Sequence, residues 1–199
     1  MEHTLPCNLG GPRKPVVILR LRTLHLWAAK SLGDIRIYNY CSLWVDEIGV
    51  LIHGLSHASM ASEIRDALHV GKIYVLRSFG INSPPNLYRA CDFDLSLSIS
   101  LVTSFQECSL PAENFPVDAY EFLPLAQLFT RTGDHRLLTD VIGRIHSISG
   151  VSHKITNNGT YVRQTVVIED DSCHKATITL WDEFSGILDS VALTQADSL

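Results

Sequence analysis

Three short runs of branched and apolar residues, set apart by tight-turn residues, give way to a single stretch of helical period. That order leaves the chain few ways to fold. The runs are Val16 to Leu26, Ile35 to Trp44 and Val50 to Leu55, separated by Gly33-Asp34 and by Asp46-Glu47-Ile48-Gly49. Their spacing predicts a three-stranded meander. Met60, Ile64 and Leu68 then recur every four residues among Ser62, Glu63, Arg65 and Asp66. This predicts one amphipathic helix over 56–69, closed near Gly71. Lys72 to Phe79, Leu87 to Cys91 and Asp94 to Leu101 predict further strands. In the last of these, Leu95, Leu97, Ile99 and Leu101 alternate with Ser96, Ser98 and Ser100, so one face is buried and the other wet.

Three strands, a helix and more strands is the order of an OB-fold, a five-stranded Greek-key barrel with one helix that binds oligonucleotides on one face. Small β-barrels of other topology share the composition. The OB-fold is expected over 15–105, behind a loose arm at 1–14. Residues 106–138 read as a connector, interrupted by Pro111, Pro116 and Pro124; its Phe115, Tyr120, Phe122, Leu125, Leu128 and Phe129 need something to pack on. Residues 139–199 begin a second copy. Val141, Ile142, Ile145 and Ile148 form a strand, Asn157-Asn158-Gly159 a hairpin turn, and Val162 to Ile168 the return. Glu169-Asp170-Asp171-Ser172 turns again into Lys175 to Trp181, and a helix is expected from Trp181 through Leu188 and Val191. The expectation is an all-β protein, one OB-fold followed by a partial second one. The second half is expected to carry an unpaired edge and to be the less stable.

Composition narrows the function. With 46% apolar and 19% charged residues the chain can bury a core. It has no run of eighteen apolar residues, so no membrane helix is expected. The first residues lack a secretory signal pattern, and five scattered cysteines argue against a disulfide framework and for a reducing compartment. Residues 1–98 hold 10 Lys+Arg against 8 Asp+Glu, and residues 99–199 hold 6 against 13. Bulk charge therefore cannot hold a polyanion; a local groove and stacking must. His53 and His57 have i,i+4 spacing but no intervening glutamate, so neither a metal site nor a cofactor is expected. No catalytic constellation stands out, and an enzyme is not expected. The sequon Asn158-Gly159-Thr160 falls in a hairpin turn and is expected to remain unmodified.

Thr139-Asp140-Val141-Ile142-Gly143-Arg144-Ile145, Ile168-Glu169-Asp170-Asp171-Ser172 and the stretch Ala176 to Phe184 together resemble the second DNA-binding OB-fold of the replication protein A large subunit. Trp44-Val45-Asp46-Glu47-Ile48-Gly49, Gly71-Lys72-Ile73-Tyr74-Val75 and Tyr88-Arg89 resemble its first DNA-binding OB-fold in plant-type paralogues. The resemblance spans about residues 15–190. It implies sequence-tolerant binding of single-stranded DNA in replication, repair and recombination, in the nucleus. Its usual partners are the two smaller replication protein A subunits. The zinc-bearing domain has no counterpart here, since no CxxC pair exists, and the domain that docks those subunits is missing, so a heterotrimer is not expected. The alternative is a degenerate paralogue that serves protein contacts with little DNA affinity, which the acidic second half and Leu55 favour.

Single-strand binders need flat faces for bases and cations for the backbone. Trp181 shares a strand face with Lys175, Thr177 and Thr179 and is a stacking candidate. By resemblance Tyr88 falls at the second stacking position of the first OB-fold, with Arg89 beside it for phosphate, on a strand opened by Ser83-Pro84-Pro85-Asn86. Leu55 stands where some relatives carry an aromatic. Lys30 and Arg36 flank the first turn, and Arg163 and Lys175 are expected on corresponding ground in the second unit. Trp27 and Trp44 are expected in the core.

Overall fold

The structure is a computed structural model and describes residues 17–30, 36–108, 115–156 and 159–188. Those residues fall into two compact units. The first comprises described residues within 1–30, 36–120 and 134–138; the second includes 121–133 and 139–188. The arm at 1–14, the Asn157-Asn158 part of the hairpin turn and Val191 lie outside the described residues.

In the first unit β1 (Leu19–Lys30), β2 (Ile37–Val45) and β3 (Leu51–His57) form the expected antiparallel meander. α1 (Ala61–Ala67) follows, after a 3-10 turn at Ala58–Met60. Then come β4 (Ile73–Arg77), β5 (Gly80–Asn82), β6 (Ser96–Ile99) and β7 (Ser104–Glu107). The sheet order is β5-β6-β3-β2-β1-β4-β7, with β3 and β6 parallel. β4 pairs with β1 and β5 pairs with β6, yet only Ser78 and Phe79 lie between β4 and β5. Ser78 turns the strand with φ 57°, so the sheet curls back towards its own start.

Inside the curl the buried side chains are Leu19, Leu21, Tyr40, Trp44, Ile52, Leu76, Leu97 and Ile99. Met60, Ala61, Ile64 and Leu68 from the helical segment pack into the same core, which is what the four-residue apolar period serves. Trp44 is fully buried and donates its indole N–H to the Ser42 hydroxyl at 2.7 Å. Gly54 lies opposite: a Cβ there would collide with Ser42 and sit 2.9 Å from the Trp44 indole nitrogen.

The second unit is a smaller sheet. β8 (Arg144–Ile148) and β9 (Ser152–Thr156) follow one another along a single edge of β10 (Gly159–Glu169), and β11 (Lys175–Trp181) pairs the other edge. Its inner face buries Val166 and Ile168 with Ile145, Ile148, Ala176, Ile178 and Leu180. The cover comes from upstream: Leu125, in a 3-10 stretch at Leu125–Arg131, is buried in this cluster with Leu128 beside it. Buried Gln164 donates to the carbonyls of Ser149 and Leu188 and accepts from Gly186 N–H, so its amide is well satisfied.

Three expected elements differ. Leu87 to Cys91 is a loop with a single bridge, Arg89 to Leu137, because Tyr88 adopts φ 57°, which a strand cannot hold. The helix expected from Trp181 is one 3-10 turn, Asp182–Phe184; Asp182 itself sits at φ 45°, and its carboxylate accepts from Val162 N–H at 3.1 Å. The alternating strand ends at Ile99, and its face is not all wet: Ser96 is fully buried, donating to the carbonyls of Asn82 and Ser83.

Candidate nucleic-acid interface

The two units share one device. Asp46 Oδ1 accepts from Ile48 and Val50 N–H at 3.0 and 2.8 Å. Asp170 Oδ1 accepts from Ser172 and His174 N–H at 3.0 and 2.9 Å. The turn thus fixes an internal register in which Asp46 matches Asp170, Leu51 matches Lys175 and His57 matches Trp181. Strand pairing agrees, since His57 faces Asn39 across the ladder as Trp181 faces Arg163.

In the second unit strand alternation sends Ala176, Ile178 and Leu180 to the core and leaves Lys175, Thr177, Thr179 and Trp181 on the outer face. Trp181 is half-buried. Tyr161 meets it edge-on, with ring centroids 6.4 Å apart at 87°. The Lys154 ammonium lies 5.9 Å from the indole centroid, and Arg163 stands directly opposite Trp181 on β10. Two aromatics and two cations therefore share one patch, with the indole orientation set by Tyr161.

Lys175 lies at the far end of β11, held 3.4 Å from Glu169 and 2.9 Å from the His146 ring. Arg163 and Lys175 therefore do not occupy ground corresponding to Lys30 and Arg36. Lys30 pairs with Ile37 as Lys154 pairs with Tyr161, so Lys154 is the counterpart of Lys30. Sequence reasoning misses Lys154 and Tyr161 because β9 carries little apolar alternation to mark it as a strand. The Asn-Asn-Gly turn is the available signal: placing a strand before it as well as after sets Lys154 and Tyr161 side by side.

The first unit uses its outer face differently. Trp27, Cys41, Leu55 and Ser98 lie in one cross-strand row; His25, Leu43, His53 and Ser96 form the next. Trp27 is therefore not in the central core where it was expected. It packs partly buried on a second cluster formed by Leu24, Leu43, Val45 and Cys91. Leu55 is half-buried in mid-sheet. Tyr88 is exposed in its loop, with its ring 6.2 Å from that of His135. Arg89 is ion-paired to Asp92 at 3.5 Å. Lys30, at the end of β1, and Arg36, just before β2, are exposed, and the turn expected between them lies outside the described residues. Tyr88 and Arg89 stay near the Trp27 cluster through Ala90 and Cys91, whereas Trp181, Arg163 and Lys154 form the patch of the other unit. Among the described residues no group of three or more His, Cys, Asp or Glu side chains could hold a metal.

A three-stranded meander, a helix after the third strand, and a parallel pairing of that strand with a later one define the OB-fold class, and the expectation from the sequence holds for the fold. No family model matches the chain. The chain is weakly homologous to replication protein A large subunits and carries OB domains of that kind. It is 27% identical over 159 residues to a replication protein A 70 kDa DNA-binding subunit of Oryza sativa subsp. japonica, and 20% identical over 154 residues to one of Arabidopsis thaliana. Those matches cover 77% and 76% of this chain, which spans about a quarter (24%) of each relative's length. Among solved structures, a chain of a replication protein A heterotrimer bound to ssDNA superposes with TM-score 0.59 at 14% identity, covering 96% of this chain and 43% of that one.

Proposed function

We propose that this chain binds single-stranded DNA without strong sequence preference, and that the patch of Trp181, Tyr161, Lys154 and Arg163 is its main contact. The observation that carries the reading is that patch: an indole held by a T-shaped neighbour, with two cations alongside, on the outer face of an OB-type sheet. A stacked base contributes roughly 1–3 kcal/mol whatever its identity, and cations take the phosphates. The relatives named as DNA-binding subunits of replication protein A support DNA as the ligand and a role in replication; roles in repair and recombination and a nuclear location are parts of the same proposal. Fluorescence anisotropy with labelled oligo-dT tests the function. Wild type binds and Trp181→Ala weakens binding about thirtyfold, the middle of the stacking range. No binding by the folded chain at tens of micromolar, on the order of the weakest non-specific affinities, refutes it.

One observation favours a second reading for the first unit. Its outer face is closed by its own residues Ala90, Cys91, Phe93 and Ala119, which leaves no open stacking surface there and fits a degenerate unit with little DNA affinity of its own. Binding that does not respond to salt would select that reading.

A further inference from the structure

The closed outer face of the first unit holds a polar group it does not satisfy. His53 is only 3% exposed, and neither ring nitrogen has a hydrogen-bond partner. Leaving a buried polar group unpaired forfeits its hydration without return. Burial pushes the imidazole down to about 4, so the ring is neutral at pH 7 and offers one donor and one acceptor. Trp27 covers it with centroids 5.3 Å apart and a 33° tilt. Cys91 is buried in the cluster against which Trp27 packs.

The segment that carries Cys91 is itself under tension. Tyr88 holds φ 57°, a genuine outlier for a bulky side chain, and Arg89 Nε is buried without a partner. Three main-chain bonds keep the segment down. Tyr88 and Arg89 N–H donate to the carbonyls of His135 and Arg136 at 2.7 and 2.8 Å, and Leu138 N–H donates to the Arg89 carbonyl at 2.8 Å.

We propose that residues 87–93 close over a nucleobase pocket, and that lifting them presents Trp27 as a stacking surface and His53 as the group that reads the edge of one base. The inference rests on the single-strand reading above. A base supplies what the closed face lacks: a π-face for the indole and, on its edge, both an acceptor and a donor for a neutral imidazole. The lifted loop relieves Tyr88 and frees Arg89 for the neighbouring phosphate. The pocket would be the polar, base-discriminating partner of the tolerant Trp181 patch.

The full chain with Cys7, Cys108 and Cys173 replaced by serine keeps Cys41 and Cys91, which are 3% and 7% exposed on this face. Their reaction with a thiol reagent is followed with and without saturating oligo-dT, saturation being set by anisotropy. A rise of about tenfold or more in the reaction rate is expected, as for a shift of 1.4 kcal/mol towards the open loop. Binding with an unchanged or slower reaction overturns the pocket and leaves the Trp181 patch standing; no binding at all removes both. His53→Phe keeps the packing and removes the polar group. It should raise the melting temperature yet weaken oligo-dT binding at least fivefold. Unchanged affinity makes His53 a packing residue only and overturns the proposal.

Discussion

The paired aspartate turns allow a measurement that uses one unit as the control for the other. Gly49 has φ 88° and Cys173 has φ 63°, each donating its N–H to the carbonyl of the turn aspartate, at 3.2 and 3.0 Å. A side chain in this left-handed region costs roughly 1–2 kcal/mol. Glycine escapes that cost but gives up about 0.4–1 kcal/mol through the freedom of the unfolded chain. A Cβ added at Gly49 meets nothing within 4 Å, so Gly49→Ala reports the backbone alone. It should destabilise the first unit by about 1 kcal/mol, the difference of the two terms. Cys173→Gly should stabilise the second unit by about 0.5–1 kcal/mol by the same difference with opposite sign, since the cysteine is exposed. Because the two units need not unfold together, the assay is hydrogen exchange read locally, on peptides from 37–57 and 159–181. A shift of 1 kcal/mol is about a fivefold change in opening. Each substitution should move its own peptides and spare the other set. A Cys173→Gly variant that opens more readily would show that the thiol carries contacts the turn depends on, and the argument would fail.

Lys154→Ala and Arg163→Ala should each flatten the log–log salt dependence of oligo-dT binding by about 0.7, one phosphate apiece on a single strand. Lys175→Ala should leave it nearly unchanged, because its ammonium faces Glu169; a full unit of change there would move the interface to the far end of β11. The His53 imidazole sits near 4 when folded against an ordinary 6.5, so the unfolded chain takes up the proton first as pH falls. Stability is therefore full above about 6.5 and is lost towards 4, by about 3 kcal/mol over the interval. Urea unfolding of His53→Phe should lose that slope, and a slope that survives would place its origin elsewhere. Leu125→Ala removes the upstream cover of the second unit and should cost about 2–5 kcal/mol, read as faster exchange in 159–181; unchanged exchange there would show the sheet does not rely on that cover.

The meander, the helix over the core and the two aspartate turns were legible because they depend on local rules. Period 2 marks strands, period 3.6 the helix, and a short run opened by aspartate, Asp46 to Gly49 and Asp170 to Cys173, the turns. The Trp181 face was legible for the same reason, since alternation along Lys175 to Trp181 fixes which side each residue takes. What the sequence hid depends on long-range pairing. Lys154 reaches the indole only because β9 lies along β10. Trp27 is half-buried only because the loop bearing Cys91 returns over it. Tyr88 reads as a strand residue until its left-handed backbone, fixed by bonds to His135, is seen. The 3-10 turn at Asp182 has a helical composition, but its carboxylate is engaged by Val162 of β10 and the chain turns away.

The way the chain is shared out between the two units has a practical consequence for anyone who would divide it. Of the described residues, those up to 120 belong to the first unit, 121–133 to the second, 134–138 to the first again, and 139–188 to the second. No single cut between 120 and 139 returns every segment to its own unit. An expression clone starting at 139 lacks Leu125, and one ending at 120 lacks the carbonyls that fasten Tyr88 and Arg89. On the ribosome the same order means that the last clasp of the first unit emerges only after the opening piece of the second. Neither half can be finished before the other has begun.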